Sequence, residues 1–398
     1  MQRPIAVLAT ICLLTAPRLV EVAYAQHGVI DCGRRALRDV VAAVRDVSVT
    51  IQFTGTCAGP VVIRADGLTL RGVGQAVIDG HSGDALVVVG ASRVVLASFE
   101  VRNGTNGIVG VNGAHLTIRD VRVHDNDAFG ISLQSASSGI LSNVEATDNG
   151  FHGLDLQTGS AAVIEGPVTT SGNRVFGVNV NASSLTLGRT SLSAIGNTLG
   201  VQVATNASAF LTGPESVITV ADNLATGLTV VSGAQLVSFG GTIVASGNGA
   251  VGVSVNSKAG LDLDAGSTLR STGNGEGMLI QQGSVATVFN NPQFSGAMGF
   301  STIEVRENLR NGLRVQTGAT LTLSNQARVI STQNLGTGLL ADNGAGLTLV
   351  NSSITGNAVR DLQLTFATRA DLQTLSFGTA TCDGTVVLRG TSGITCPR

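Results

Sequence analysis

The chain has 398 residues, of which 13% are charged and 43% hydrophobic, with a net charge of −2. So small a basic complement excludes a phosphate-binding face of the nucleic-acid kind, and so much apolar content excludes a disordered polar tract. Glycine (52) far outnumbers proline (7) without a Gly-X-Y period, which excludes collagen and suits short strands joined by tight turns.

The first 25 residues read as an export leader. Arg3 supplies the positive start, Ile5 to Ala16 is apolar but too short to span a bilayer, and Ala23-Tyr24-Ala25 offers small residues for cleavage. Cleavage is expected after Ala25, with the vicinity of Ala16 as the alternative. The mature chain is then secreted, extracellular or periplasmic, with no integral membrane segment. Residues 26–60 form an N-terminal cap. Arg34 to Val47 patterns as an amphipathic helix, with Leu37, Val40, Val41 and Val44 on one face and Arg34, Arg38 and Arg45 on the other. Apart from Cys12 in the leader, the cysteines are Cys32, Cys57, Cys382 and Cys396. They allow three pairings, and their separation favours Cys32–Cys57 and Cys382–Cys396. Each bond would contribute roughly 3 kcal/mol by loop closure. Their spacings match no zinc pattern.

Residues 61–376 are a repeat. Asn followed four residues later by Gly and an aliphatic residue recurs at Asn103, Asn126, Asn149, Asn173, Asn223, Asn248, Asn308 and Asn334. Asn197 and Asn274 carry a version one residue shorter, Asp79/Gly83 opens the series and Asn357/Asp361 closes it. Successive marks lie 23 to 26 residues apart, except for 34 from Asn274 to Asn308, which places an overhanging loop around Asn290 to Phe300. Between marks the chain alternates at period two, as in Leu154-Asp155-Leu156-Gln157, so each unit holds short strands with one buried face. A unit of this length is too short for a propeller blade and lacks leucine-rich spacing. It fits one coil of a right-handed parallel β-helix, an all-β solenoid. About twelve coils at ~4.8 Å give a rod on the order of 55 Å, with the Asn marks as an internal amide ladder. The helix caps one end, and residues 377–398 cap the other.

The Asn/Gly repeat, the cap and the lead-in Val61-Val62-Ile63…Leu68-Thr69-Leu70-Arg71-Gly72 resemble the right-handed β-helix proteins of the pectin-lyase-like superfamily. That resemblance implies the fold for nearly the whole mature chain. It implies polysaccharide-related work of several kinds, because the group includes hydrolases, lyases and epimerases as well as proteins without known chemistry.

Candidate chemistry is concentrated between Asp79 and Arg174. The densest run is Arg119-Asp120-Val121-Arg122-Val123-His124-Asp125-Asn126-Asp127. With Asn126 inward, Asp125 and Asp127 point outward, on the order of 6.5–7 Å apart if the chain is extended, at the edge of the separation used by inverting glycosidases. Asp148 should stack on Asp125, His152 follows one coil on, and Arg174 on the next coil could hold a uronate carboxylate. These stretches resemble a polygalacturonase-like pattern of Asn-Thr-Asp, Asp-Asp and Gly-His-Gly. Here they read Asn103-Gly104-Thr105-Asn106-Gly107, Asp125-Asn126-Asp127 and Gly150-Phe151-His152-Gly153, without the first Asp and with the Asp pair split. The resemblance assigns catalysis to Asp127 and His152, with Asp125 and Asp148 as partners. Strand parity also stacks Glu100, Arg122 and Glu145, a ladder that solvated ion pairs explain. A row of outward polar side chains, Ser132, Gln134, Asp155, Gln157, Asn179, Asn181 and Gln202, could bind sugar hydroxyls. Phe129, Phe151 and Phe176 recur near the mark and read as a core or turn stack. No cofactor is implied; the clustered carboxylates leave calcium possible, although no loop has a recognised calcium spacing. Two readings follow: a polysaccharide-binding or surface β-helix without catalysis, and a glycoside hydrolase, lyase or epimerase on a uronate-containing glycan. Oligomeric state is left open.

Overall fold

In the computed structural model, described here for residues 28–397 except 46–47, 82, 292–298, 325 and 391–392, the chain winds into a parallel β-solenoid. The expected leader lies outside the described residues. Alternation at period two buries every second side chain, and parallel pairing of each coil with the next stacks those side chains into continuous rows. Leu156, Val180, Val203, Val230 and Val255 form one such row with no exposed surface.

Each coil contributes to two sheets. A narrow sheet of 14 strands runs from Val61–Ile63 to Ala380–Cys382 and holds the segment that follows each mark. A broad sheet of 25 strands holds the rest. In the early coils the broad-sheet segment is one long strand, such as Val94–Arg102, His115–His124 and Ser138–Thr147; in later coils it is broken into two, such as Ala161–Ile164 and Val168–Ser171. The rod therefore has about 14 coils, not twelve, and a length of about 60 Å. The mark undercounts because Val61–Ile63 precedes it and Ala380–Cys382 follows its last occurrence.

The helix is Leu37–Ala43, shorter at both ends than the amphipathic pattern suggests. Arg34 and Arg35 instead donate their backbone N–H groups to Asp31 O in a turn, and Val44 is already extended. Its apolar face is as expected, with Leu37, Val40 and Val41 buried on the first coil. Disulfides join Cys32 to Cys57 and Cys382 to Cys396. The long step between Asn274 and Asn308 falls between strands Val285–Val288 and Ser301–Arg306. The middle of the overhanging loop expected there, residues 292–298, lies outside the described residues; beside it Asn290 Nδ2 donates to Gly299 O and Gln326 Oε1. Among the described residues no helix is long and apolar enough to cross a membrane.

The marks form a buried ladder from Asn126 to Asn357. Each Nδ2 donates to the Oδ1 of the next coil's Asn at 2.8–3.3 Å. The same Oδ1 accepts the backbone N–H of the preceding Asn at 2.9–3.3 Å. At the far end Asp361 Oδ1 replaces the next Asn, accepting from Asn357 N and Nδ2, both at 3.0 Å. Burial pushes the Asp361 carboxyl up, but hydrogen bonds from Asn357, Thr379 and Gly378 outweigh it and hold it below the usual carboxylate range. Asn103 is not a rung, although its spacing to Gly107 matches the repeat. Arg102 pairs with His124, so Gly104 stands opposite Asn126 and donates to its Oδ1, while Asn103 turns outward to Asp79.

Replacing Asn248 by Ala removes the acceptor of Asn223 N and Nδ2 and the donor to Val220 O. The expected cost is about 3 kcal/mol, because buried groups lose partners that water cannot replace. Denaturant unfolding of the variant would show it; a change under 1 kcal/mol would mean the ladder is not a main support.

Candidate functional site

On the outer face of the early coils, register aligns charged side chains in two rows. Glu100, Arg122 and Glu145 stand side by side, and Asp79, Arg102, His124 and Thr147 form the parallel row two residues on. Beside them the pairing slips between Arg71 and Val77, where the chain bulges through Gly74 at φ +65°. The bulge walls a groove of about 710 Å³ lined by Gln75, Glu100, Arg102, Asp120, Arg122 and Glu145, among others.

The second row is a connected network. Asp79 Oδ2 accepts from Asn103 Nδ2 at 2.9 Å and faces Arg102 Nε at 3.5 Å; Arg102 Nη1 lies 3.2 Å from Glu100 Oε1. Burial raises Asp79, but hydrogen bonds from Asn103, His81 and Arg102 and the His81 charge hold it below the usual range. His124, only 8% exposed, has Nδ1 at 2.7 Å from Asp125 Oδ2 and Nε2 at 2.9 Å from Glu100 Oε1, the latter off the line of a good hydrogen bond. Beside it Thr147 Oγ1 is enclosed without a partner. The ring thus stands between two carboxylates, Asp125 and Glu100, the second of which lines the groove. In the sequence His124 is marked only by parity: Arg102 and His124 share a row beside the Glu100 ladder.

The four residues expected to form an acid–base set stand in different surroundings. Asp125 has φ +54°, so the chain turns there and the extended-strand separation from Asp127 does not apply. Its carboxylate serves His124. Asp148 stacks on Asp125, as expected, and lies over Gly172. Asp127 lies beyond Asn126, against Gly150, where any Cβ would come within 2.0 Å of Asp127 O. Arg174 follows Gly150 on the next coil, so an exposed carboxylate and an exposed guanidinium flank a glycine gap. His152 is 4% exposed and sits within the expected phenylalanine stack: 4.0 Å from Phe151, 5.0 Å from Phe176 and 5.5 Å from Phe129 between ring centroids. Its Nδ1 accepts from Phe176 N at 3.3 Å. Burial lowers its pKa to about 4, against a smaller opposing bond to Phe151, so at neutral pH it is an uncharged part of the turn stack.

The expected sugar-binding row is largely turned on itself. Ser132, Asp155 and Asn179 are buried in the narrow sheet. Asp155 accepts from Asn179 at 2.8 Å, Gln157 at 2.8 Å and Ser132 at 3.2 Å; Gln134 donates to Ser132, and Gln202 to Asn179. Burial raises the Asp155 carboxyl, and those three bonds offset it only in part. Both of its oxygens are partnered, which makes it a structural centre. Asn181 is half-buried at the end of its strand. Among the described residues no three His, Cys, Asp or Glu side chains converge to hold a metal ion.

His152 gives a pH test. Above its ordinary value of 6.5 both folded and unfolded chains keep it neutral. Between 6.5 and about 4 the unfolded chain takes up a proton that the folded chain does not, so stability falls with falling pH. The expected loss is roughly 3 kcal/mol by pH 4. His152→Phe loses the bond from Phe176 N at every pH but should flatten this part of the pH profile in denaturant titrations; an unchanged slope would assign the acid sensitivity elsewhere.

The chain is similar to several solved structures. The A-module of mannuronan C-5 epimerase AlgE4 from Azotobacter vinelandii is 15% identical, with 90% of this chain and 93% of that one covered at a TM-score of 0.50. An alginate lyase from Paenibacillus sp. is 13% identical, with 90% and 99% covered at 0.31. A polygalacturonase from Erwinia carotovora is 9% identical, with 93% and 96% covered at 0.28. No curated protein matches the sequence. The family model described as a right handed beta helix region matches residues 61–274, more than half of the chain. With the coils, ladder and parallel sheets already in place, the chain belongs to the right-handed β-helix family.

Proposed function

We propose that this is a secreted polysaccharide-binding protein that holds a glycan strand in the groove over the early coils without cleaving it. The observation that carries the reading is the groove itself, where Glu100, Arg122 and Glu145 stand in register beside Arg102 and Asp120. Guanidinium and carboxylate groups at strand spacing suit the repeated hydroxyls of a sugar chain, and the arginines also suit uronate carboxylates. Polysaccharide is the partner class because one module of the same fold is a mannuronan epimerase. The engagement of Asp125 with His124 and of His152 with the phenylalanine stack supports binding without turnover. Secretion rests on the leader-like start and on two disulfides, which persist in oxidising compartments. The division into leader 1–25, cap 26–60, rod 61–376 and end cap 377–398 belongs to the same proposal.

One observation favours the enzymatic alternative, a hydrolase, lyase or epimerase on a uronate-containing glycan: His124 between Glu100 and Asp125. A panel of uronate-rich and neutral polysaccharides separates the two. Binding by calorimetry is expected, at least tenfold weaker in Arg102→Ala/Arg122→Ala, with no new reducing ends, no 4,5-unsaturated products and no change in uronate epimer ratio by NMR. Turnover of any of these kinds, lost in Glu100→Gln or Asp127→Asn, would establish the enzyme instead.

A further inference from the structure

The later coils, uniform and scaffold-like in sequence, carry a second polar centre on the outer face of the narrow sheet. Register places Leu279, Arg314 and Leu340 side by side on three successive coils. Two residues further along, Gln281, Gln316 and Asp342 form the parallel row, as Gln316 N donates to Ile280 O and Asp342 N to Val315 O. Gln316 Nε2 donates to Gln281 Oε1 at 2.7 Å, and Arg314 Nη2 lies 3.3 Å from Asp342 Oδ2. Glu276, 9% exposed, stands nearby and accepts from Asn311 Nδ2 at 3.3 Å. Burial pushes the Glu276 carboxyl up; Asn311, Arg314 and Arg310 pull against it, while Asp342 adds to the rise.

This centre differs from the Asp155 network on the same sheet in one respect. There both carboxylate oxygens are partnered. Here Asp342, only 8% exposed, leaves Oδ1 enclosed without a partner, and Arg314 Nε is enclosed and unpartnered as well. A buried acceptor and a buried donor left open beside each other are unfavourable in the chain alone. A hydroxyl-bearing molecule would satisfy both. Leu279 and Leu340, each half-buried, offer apolar contact on either side of Arg314, as the C–H face of a sugar ring requires. The carboxylates of Glu276 and Asp342 disfavour an acidic ring.

We propose that Arg314 and Asp342, with Gln281 and Gln316, form a subsite for a neutral sugar residue, separate from the groove on the broad sheet. One hydroxyl accepts from Arg314 Nε, a second donates to Asp342 Oδ1, and the two glutamines take further hydroxyls. Arg314 is the outer member of the pair and a third of its side chain is exposed, so its rotation opens Asp342 to the ligand.

The test uses the full chain and methyl glycosides of glucose, mannose and galactose, with glucuronate as the acidic control, followed by saturation-transfer and titration NMR. At least one neutral glycoside is expected to saturate, with glucuronate at least tenfold weaker. Asp342→Asn should weaken binding about tenfold. The pair Arg314→Leu/Asp342→Leu should abolish it while leaving Tm unchanged or raised, because it removes buried groups with open valences. The groove variant Arg102→Ala/Arg122→Ala should keep glycoside binding, so failure of the groove reading and failure of this one are distinguishable. No saturation by any neutral glycoside, saturation that survives the paired substitution, or a marked fall in Tm in that pair would each overturn the proposal, the last by showing the two groups to be structural partners only.

Discussion

From Asn126 to Asn357 the rod hangs on the hydrogen bonding of one inward amide per coil. A solenoid turn must change direction while its backbone groups are shut away from water, and those groups need partners. The Asn side chain supplies an acceptor to the preceding rung and donors both to the next rung and to a carbonyl of the preceding coil. The turn is thus satisfied internally, the aliphatic rows behind it fall into line, and the outer faces are left to vary. The candidate groove and the later polar centre both exist because neighbouring coils are held in fixed register.

That register also explains how sites form in a chain with so few charged residues. Side chains about one coil apart in sequence become neighbours at strand spacing, so Glu100 meets Arg122 and Arg314 meets Asp342. Where opposite charges and amides stack with every atom matched, as around Asp155, the result is support. Where the rows bulge apart, as beside Gly74, or leave atoms unmatched, as at Asp342, a ligand has something to recognise.

The sequence carries the fold plainly because both of its signals are periodic. The Asn step and the two-residue alternation each demand a parallel coil, and few other architectures satisfy both. The errors arose where one coil departs from the average. Asn103 keeps the four-residue spacing to Gly107, but the pairing across that turn is a residue short, so the ladder begins at Asn126. Asp125 lies where the chain turns with positive φ, so counting by parity misplaced its carboxylate. His152 looked like a reactive group because nothing in sequence shows that Phe129, Phe151 and Phe176 enclose it. The Glu276, Arg314 and Asp342 cluster was illegible for a simpler reason: its members are scattered among Ser, Thr and Gly coils, and only three-dimensional stacking gathers them.

The ladder has a direction as well as a strength. Every rung from Asn126 to Asn357 accepts only from the N-terminal side and sends one amide N–H toward the C-terminal end, while the other returns to the backbone. The last rung is therefore left with an amide N–H that has no further Asn to receive it. Asp361 receives it as an anion, held ionised by the bonds it accepts. A carboxylate, which only accepts, ends the series where another amide would continue it. A chain extended by further Asn coils would have to move that charge outward with the end of the stack.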